Sequence, residues 1–268
     1  MVTINSMKKI LMLCSFLFMF IQGSAQQFQN KRGQNVLPEA GNWAVGFDVI
    51  PILKYAGNLF YNGSDSTRDF STAYPLTVTG KYVIKNNLSY RAAFRLDLYG
   101  LTTDTLVAKT GSTNINEKVS NQRKEKSTTF YVSSGIEKRK GITQRVTGIY
   151  GVDVAVLINS SKTSYTYGNE LELNNQQDSQ VKKVKDGTLV GFGFRGFLGV
   201  EYFIAAKMSL SAEYGFGPSI SNRGRGSIET QVVDGNSTKT VIEETEKAFG
   251  YGFKSDINGG IVALTFYF

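Results

Sequence analysis

The feature that most restricts this sequence is a strict period of two that returns eight times between Trp43 and the last residue. Successive side chains of a β-strand point to opposite faces, so such alternation sorts cleanly on a strand and scatters around a helix. In the first segment Trp43, Val45, Phe47 and Val49 share one face, against Ala44, Gly46 and Asp48. The second sets Leu76, Val78, Tyr82 and Ile84 against Thr77, Thr79 and Lys81. The third is the longest, with Leu88, Tyr90, Ala92, Phe94, Leu96 and Leu98 opposite Ser89, Arg91, Arg95, Asp97 and Tyr99. In the fourth, Phe130, Val132 and Ile136 oppose Tyr131, Ser133 and Glu137; in the fifth, Tyr150, Val152, Val154 and Val156 oppose Gly151, Asp153 and Ala155. Phe192, Phe194, Leu198, Val200 and Tyr202 face away from Gly193, Arg195, Gly199 and Glu201 in the sixth. The seventh separates Leu210, Ala212, Tyr214 and Phe216 from Ser209, Ser211, Glu213 and Gly215, and the eighth runs from Ile257 to Phe268.

The stretches between these segments alternate in length. Residues 54–73, 101–127, 159–187 and 218–247 are long, whereas 85–87, 138–144 and 205–207 are short. Eight strands with long connections at one rim and short turns at the other predict an all-β, eight-stranded antiparallel transmembrane β-barrel, with short periplasmic turns and long extracellular loops. The long connectors are rich in Asn, Ser, Thr and Lys and read as solvated, with strand continuations at their roots. In the last one, Ile228 to Val233 and Thr238 to Ile242 flank Asp234-Gly235-Asn236, which predicts a hairpin.

Alternation alone does not say which face is inside. A soluble barrel also alternates, with its apolar face inward. Two features decide. The apolar face carries so many Phe, Tyr, Leu and Val side chains that they would overfill an eight-strand interior, which is only just wide enough for side chains. The other face carries Asp48, Lys81, Arg91, Arg95, Asp97, Asp153, Arg195, Glu201 and Glu213. Lys or Arg on a lipid face near the bilayer midplane costs about 2–4 kcal/mol, so these charges are expected inside. There opposite signs from different strands can pair, and Arg91, Arg95 and Arg195 are expected to meet Asp97, Asp153, Glu201 and Glu213. Tyr82, Tyr90 and Tyr202, near the short turns, suit an interfacial girdle, with Tyr150, Tyr214, Phe192 and Phe216 for the opposite rim.

Before the strands, Lys8 and Lys9 precede an apolar run from Ile10 to Ile21, and Gly23-Ser24-Ala25 forms a small-residue cleavage site before Gln26. This is the pattern of a secretory signal peptide. The organisation expected is a signal at 1–25, a periplasmic lead at 26–40 and a barrel at 41–268. The single cysteine, Cys14, lies in the signal, so the mature chain would have no disulfide and no Cys-ligated metal. The mean hydropathy of -0.18 is compatible with this reading, because a barrel averages a greasy face with a polar one.

The C-terminal run Gly260-Ile261-Val262-Ala263-Leu264-Thr265-Phe266-Tyr267-Phe268 resembles the terminal signal of bacterial outer-membrane barrels, with Val262, Leu264, Phe266 and Phe268 at the matching positions. With the signal peptide and eight strands, the chain resembles the small OmpA/OmpX-type, porin-like barrel domains. The resemblance implies an integral protein of the bacterial outer membrane, engaged by the barrel-assembly machinery during insertion. Its lipid partners would be those of that membrane, including lipopolysaccharide.

No enzyme and no cofactor are expected. Barrel enzymes that remodel lipid A or phospholipid resemble one another in depending on a histidine, and the sequence has none, which excludes a Ser-His-Asp triad and a His-ligated metal. Gly191-Phe192-Gly193-Phe194-Arg195-Gly196 matches a dinucleotide fingerprint in spelling only, since alternation runs straight through it where a helix would have to begin. The net charge of +8 is scattered among Asp and Glu with no nucleic-acid-binding motif, so a basic rim facing anionic lipid is the expected use. Three roles stay open: a structural or interaction barrel whose loops meet a surface or envelope protein partner, its lumen closed by the charged network; a narrow porin-like channel for small solutes; and an accessory subunit of an envelope complex.

Overall fold

The computed structural model of the chain describes residues 33, 35–50, 77–114, 116–141, 145–171, 179–235, 237–255 and 260–268. The segments assigned to a signal peptide, the first long connector with Leu76, and Ile257 at the head of the eighth segment lie outside the described residues. Among those described there are twelve strands: β1 (Trp43–Asp48), β2 (Thr77–Lys85), β3 (Leu88–Ala108), β4 (Lys118–Gly141), β5 (Val146–Thr166), β6 (Ser179–Lys185), β7 (Leu189–Ala205), β8 (Met208–Arg223), β9 (Ser227–Asp234), β10 (Ser237–Glu244), β11 (Ala248–Ser255) and β12 (Ile261–Tyr267).

All pairings are antiparallel, and eight of the strands close a ring. β1 pairs β2, β2 pairs β3, β3 pairs β4, β4 pairs β5, β5 pairs β7, β7 pairs β8, β8 pairs β12, and β12 returns to β1 with Ala44 opposite Tyr267. Closure leaves no unpaired edge within the ring, which matters for any sheet that must leave water. The short connections are tight: Lys85 lies opposite Leu88, and Ala205 opposite Met208. At the second of these Lys207 adopts φ 57°, the left-handed conformation that such a turn demands and glycine usually supplies.

The long connectors are mostly sheet. β3 and β4 stay in register from Leu88 and Lys138 out to Ala108 and Lys118, so residues 101–108 and 118–127 continue the strands instead of looping. At about 3.4 Å per residue β3 is roughly 70 Å long, about twice what a membrane strand requires. Above the ring, β6 takes over from β7 as the neighbour of β5, with Lys162 opposite Lys185, and β9 and β10 add two further strands beside it. The hairpin read around Asp234-Gly235 is β9–β10, with Asp234 opposite Ser237 and Gly235 at φ +59°. The eighth position of the ring also begins earlier than Ile257. β11 already pairs with the outer half of β8, Ala248 opposite Arg223, before β12 pairs with its inner half.

The faces sort as the alternation demands. On β8 the side chains from Ser209 to Gly217 are buried at every odd position, while Leu210, Ala212, Tyr214 and Phe216 are exposed. Leu98 is 71% exposed and Trp43 64%, although both are large and apolar. Outward positions on the ring carry no charge from Leu88 to Leu98 on β3, from Thr128 to Ile136 on β4, or along β7, β8 and β12. Tyr90 to Leu98 covers roughly 30 Å of strand, which at the usual barrel tilt gives a band close to the ~25 Å of a lipid-facing belt.

Candidate functional site

The candidate site is the interior of the ring, built by the inward residues of all eight strands. Its centre is a lattice of buried charges. Glu137 on β4, fully buried, takes Lys81 of β2 at 2.8 Å, Arg91 of β3 at 3.3 Å and its own strand neighbour Arg139 at 3.4 Å. Arg91 grips Glu213 of β8 with two parallel bonds of 2.8 and 2.9 Å, the fork geometry that makes guanidinium–carboxylate pairs strong and directional. Its Nε lies 3.4 Å from Asp153 of β5. Arg195 of β7 reaches both Asp153 and Glu213 at 3.2 Å. Glu201 accepts hydrogen bonds from the hydroxyls of Ser209 and Tyr267, both at 2.7 Å, and lies 3.6 Å from the Nε of Arg139. Arg139 in turn donates to the Ser89 hydroxyl at 2.8 Å.

The lattice is balanced: Lys81, Arg91, Arg139 and Arg195 face Glu137, Asp153, Glu201 and Glu213, four charges of each sign. Burying eight charges is costly, and only mutual pairing with hydrogen bonds to the remaining oxygens repays that cost. Aromatic rings complete the filling. Phe197 lies between two guanidinium groups, with Arg91 4.2 Å and Arg195 5.4 Å from its ring centre, and Arg139 lies over Tyr267 at 5.2 Å. Small residues make the room. A Cβ on Gly215 would come within 2.1 Å of the Arg195 Nε, and one on Gly151 within 2.8 Å of the Phe197 ring.

The lattice has a floor at the short-turn end. Val36, 1% exposed, packs with Ala44, Val83, Phe203 and Tyr267, and its carbonyl accepts from the Lys207 amide at 3.2 Å. Residues 35–42 therefore cross beneath the ring, with Gly41 bonded to the carbonyl of Val83 at 2.8 Å. The lead expected at 26–40 thus contributes an apolar stopper in its final residues.

The pairing differs in part from the scheme read from sequence. Lys81, Arg91, Asp153, Arg195, Glu201 and Glu213 meet in the lattice. Arg95 lies further along β3, with its guanidinium over the Tyr131 ring at 4.9 Å and within electrostatic range of the half-buried Asp97 and of Asp48, as a second, outer group of charges. Asp48 is buried near the far end of β1, where its carboxylate accepts from the Ile50 amide at 3.0 Å. Glu201 pairs with Arg139, Tyr267 and Ser209 and not with the three arginines named for it. The sequence reading puts Glu137, the hub, on the polar face but outside the expected network, and puts Arg139 in the 138–144 connector. Continuing the period of two from Tyr131 through Ser133 and Gly135 finds both.

On the outside, Trp43 and Tyr82 pair across strands with ring centres 4.7 Å apart, Tyr82 lies opposite Tyr90, and Trp43 exchanges both backbone bonds with Phe268. Phe268, Trp43, Tyr82 and Tyr90 thus form an aromatic row over four adjacent strands at the short-turn end. Tyr202 is exposed three residues from the end of β7, and Tyr150, assigned to the opposite rim, lies four residues into β5 from its short-turn end. Val262, Leu264 and Phe266 occupy the outward face of β12 at the β1 seam. At the other end, Phe249, Tyr251 and Phe253 of β11 are exposed beside Phe216, Ile220 and Phe192.

No family model and no curated protein matches the sequence. Among solved structures it is similar to the outer membrane protein OprG from Pseudomonas aeruginosa at 11% sequence identity, over 87% of this chain and 98% of that one, with a TM-score of 0.32. A likeness of that degree carries no weight on fold or role.

Proposed function

We propose that the chain is an integral outer-membrane β-barrel that works as a closed, rigid pillar, holding an extended sheet on the far side of the membrane for contact with envelope or surface molecules. The observation that carries this reading is the inversion of the ring. Charges fill the inside in balanced pairs, while Phe94, Leu98, Leu198 and Tyr214 stand exposed outside, an arrangement stable in hydrocarbon and costly in water. Short turns then lie on the periplasmic side and β3–β6 and β8–β11 extend outward. The aromatic row ending in Phe268 lies at the β1–β12 seam, where an assembly machine that closes the barrel would need its handle.

The lattice, Phe197 and the Val36 stopper together favour a closed pillar over a narrow channel. The purified mature chain in planar bilayers is expected to give no stable conductance steps. Reproducible unitary steps would instead establish the channel reading, and a partner retained through detergent purification would make the chain an accessory subunit.

A further inference from the structure

Above the belt, three lysines stand directly opposite one another on adjacent strands. Lys126 of β4 is the register partner of Lys162 of β5, and Lys162 is the partner of Lys185 of β6. All three are exposed. They share the outward face, because Lys126 continues the even positions of Phe130 and Val132, and Lys162 those of Val154 and Ile158. Facing Cβ atoms on neighbouring strands are only about 5 Å apart, and like charges placed so destabilise a sheet. The same face carries two more lysines one step further out, Lys124 and Lys183. The acids around it are engaged elsewhere: Glu229 with Lys183 at 3.4 Å, Glu244 with Arg225 at 2.5 Å and Asp104 with the Gln122 amide at 3.0 Å, while Asp186 and Glu125, on the other face, take the Ser161 hydroxyl and Arg123. Among the described residues Lys126, Lys162 and Lys185 have no carboxylate partner.

Their height is as informative as their charge. Lys126 precedes Phe130 by four residues on the outer half of β4 and Lys162 follows Ile158 by four on β5, so each Cα lies about 13 Å of strand, or roughly 10 Å of height at the usual barrel tilt, beyond the last apolar position of its strand, within reach of a lysine side chain from the headgroup layer. The neighbouring outward position on β3 is Gly100, which leaves space over Lys126.

We propose that Lys126, Lys162 and Lys185 form a binding site for the phosphate groups of a phosphorylated glycolipid in the adjoining leaflet. This rests on the membrane reading above. A headgroup carrying phosphate monoesters matches three neighbouring ammonium groups in charge, and binding it turns mutual repulsion into attraction.

The test uses the full mature chain folded in phosphatidylcholine nanodiscs doped either with bis-phosphorylated lipid A or with the same glycolipid stripped of phosphate, with bound lipid counted by native mass spectrometry. The wild type is expected to retain the phosphorylated form at least tenfold better. K126Q/K162Q/K185Q should lose that preference while its unfolding midpoint in phosphatidylcholine stays level or rises, because repulsion has been removed. K109Q/K118Q/K239Q, with equal net charge, should keep it. Equal retention by the two triple variants overturns the inference, as does binding of inorganic phosphate alone with the same affinity. A wild type that inserts but shows no preference overturns the site and leaves the membrane reading intact; a wild type that does not insert overturns both.

Discussion

Replacing Glu137 by alanine should lower the unfolding free energy by about 3–5 kcal/mol, because it strands three cations that are already out of water. Lys81, Arg91 and Arg139 all converge on this carboxylate within 3.4 Å, and each is buried. Glu125 provides the control. It sits on the same strand above the ring, paired at 2.8 Å with Arg123 where both side chains are part-exposed, so its loss should cost less than about 1 kcal/mol. Urea titration in phosphatidylcholine vesicles measures both. Adding Lys81→Met to Glu137→Leu removes one charge of each sign and should recover part of the loss, since paired removal leaves fewer stranded partners. Equal costs at Glu137 and Glu125 would mean that water reaches the interior and that the lattice is not the filling of the ring.

The second large effect lies on the outside. Phe94 is at the centre of the uncharged outward run of β3, exposed and apolar, whereas Leu106 is exposed on the same face of the same strand beyond it. In a bilayer, Phe94→Arg should destabilise by about 2–4 kcal/mol and Leu106→Arg by about 0–1, following the depth dependence of charge on a lipid face. In water the two substitutions would behave alike, and both would improve solubility by trading an exposed apolar group for a charged one. The difference between the two sites, more than either value, reports the solvent around the ring.

The fold was legible where one face had to be greasy and the other not. β3 reads as a strand from Leu88 to Leu98 because apolar residues mark every second position, and it stops being readable at Gly100 although it continues to Ala108. Beyond that point both faces meet water, so Thr102, Asp104 and Thr105 carry no alternation for a period to detect. The same blindness hid the outward course of β4 through Lys124 and Lys126, whereas at its other end Arg139 escapes notice for a different reason: the outward neighbours Lys138 and Lys140 are charged, so no apolar residue marks the period although it continues. The interior holds more aromatic volume than an eight-strand ring with a side chain at every inward position could take. Tyr131, Phe197, Phe203 and Tyr267 do point inward, and they fit because Gly151 and Gly215, with no side chains, surrender their volume to Phe197 and Arg195. The partner of each charge was beyond reach of the sequence. Choosing Glu213 over Asp97 for Arg91 depends on register across the whole ring, which pairs residues 122 positions apart.

The chain contains one tryptophan, Trp43, and it stands on the outward face, so it is a built-in probe of what surrounds the ring. The most direct measurement is its fluorescence after the mature chain is folded with vesicles of phosphatidylcholine brominated along the acyl chains. Strong quenching by the bromines together with protection from aqueous acrylamide is the result expected of a ring set in hydrocarbon. A compact monomer in buffer without lipid or detergent, its Trp43 freely quenched by acrylamide, would contradict it.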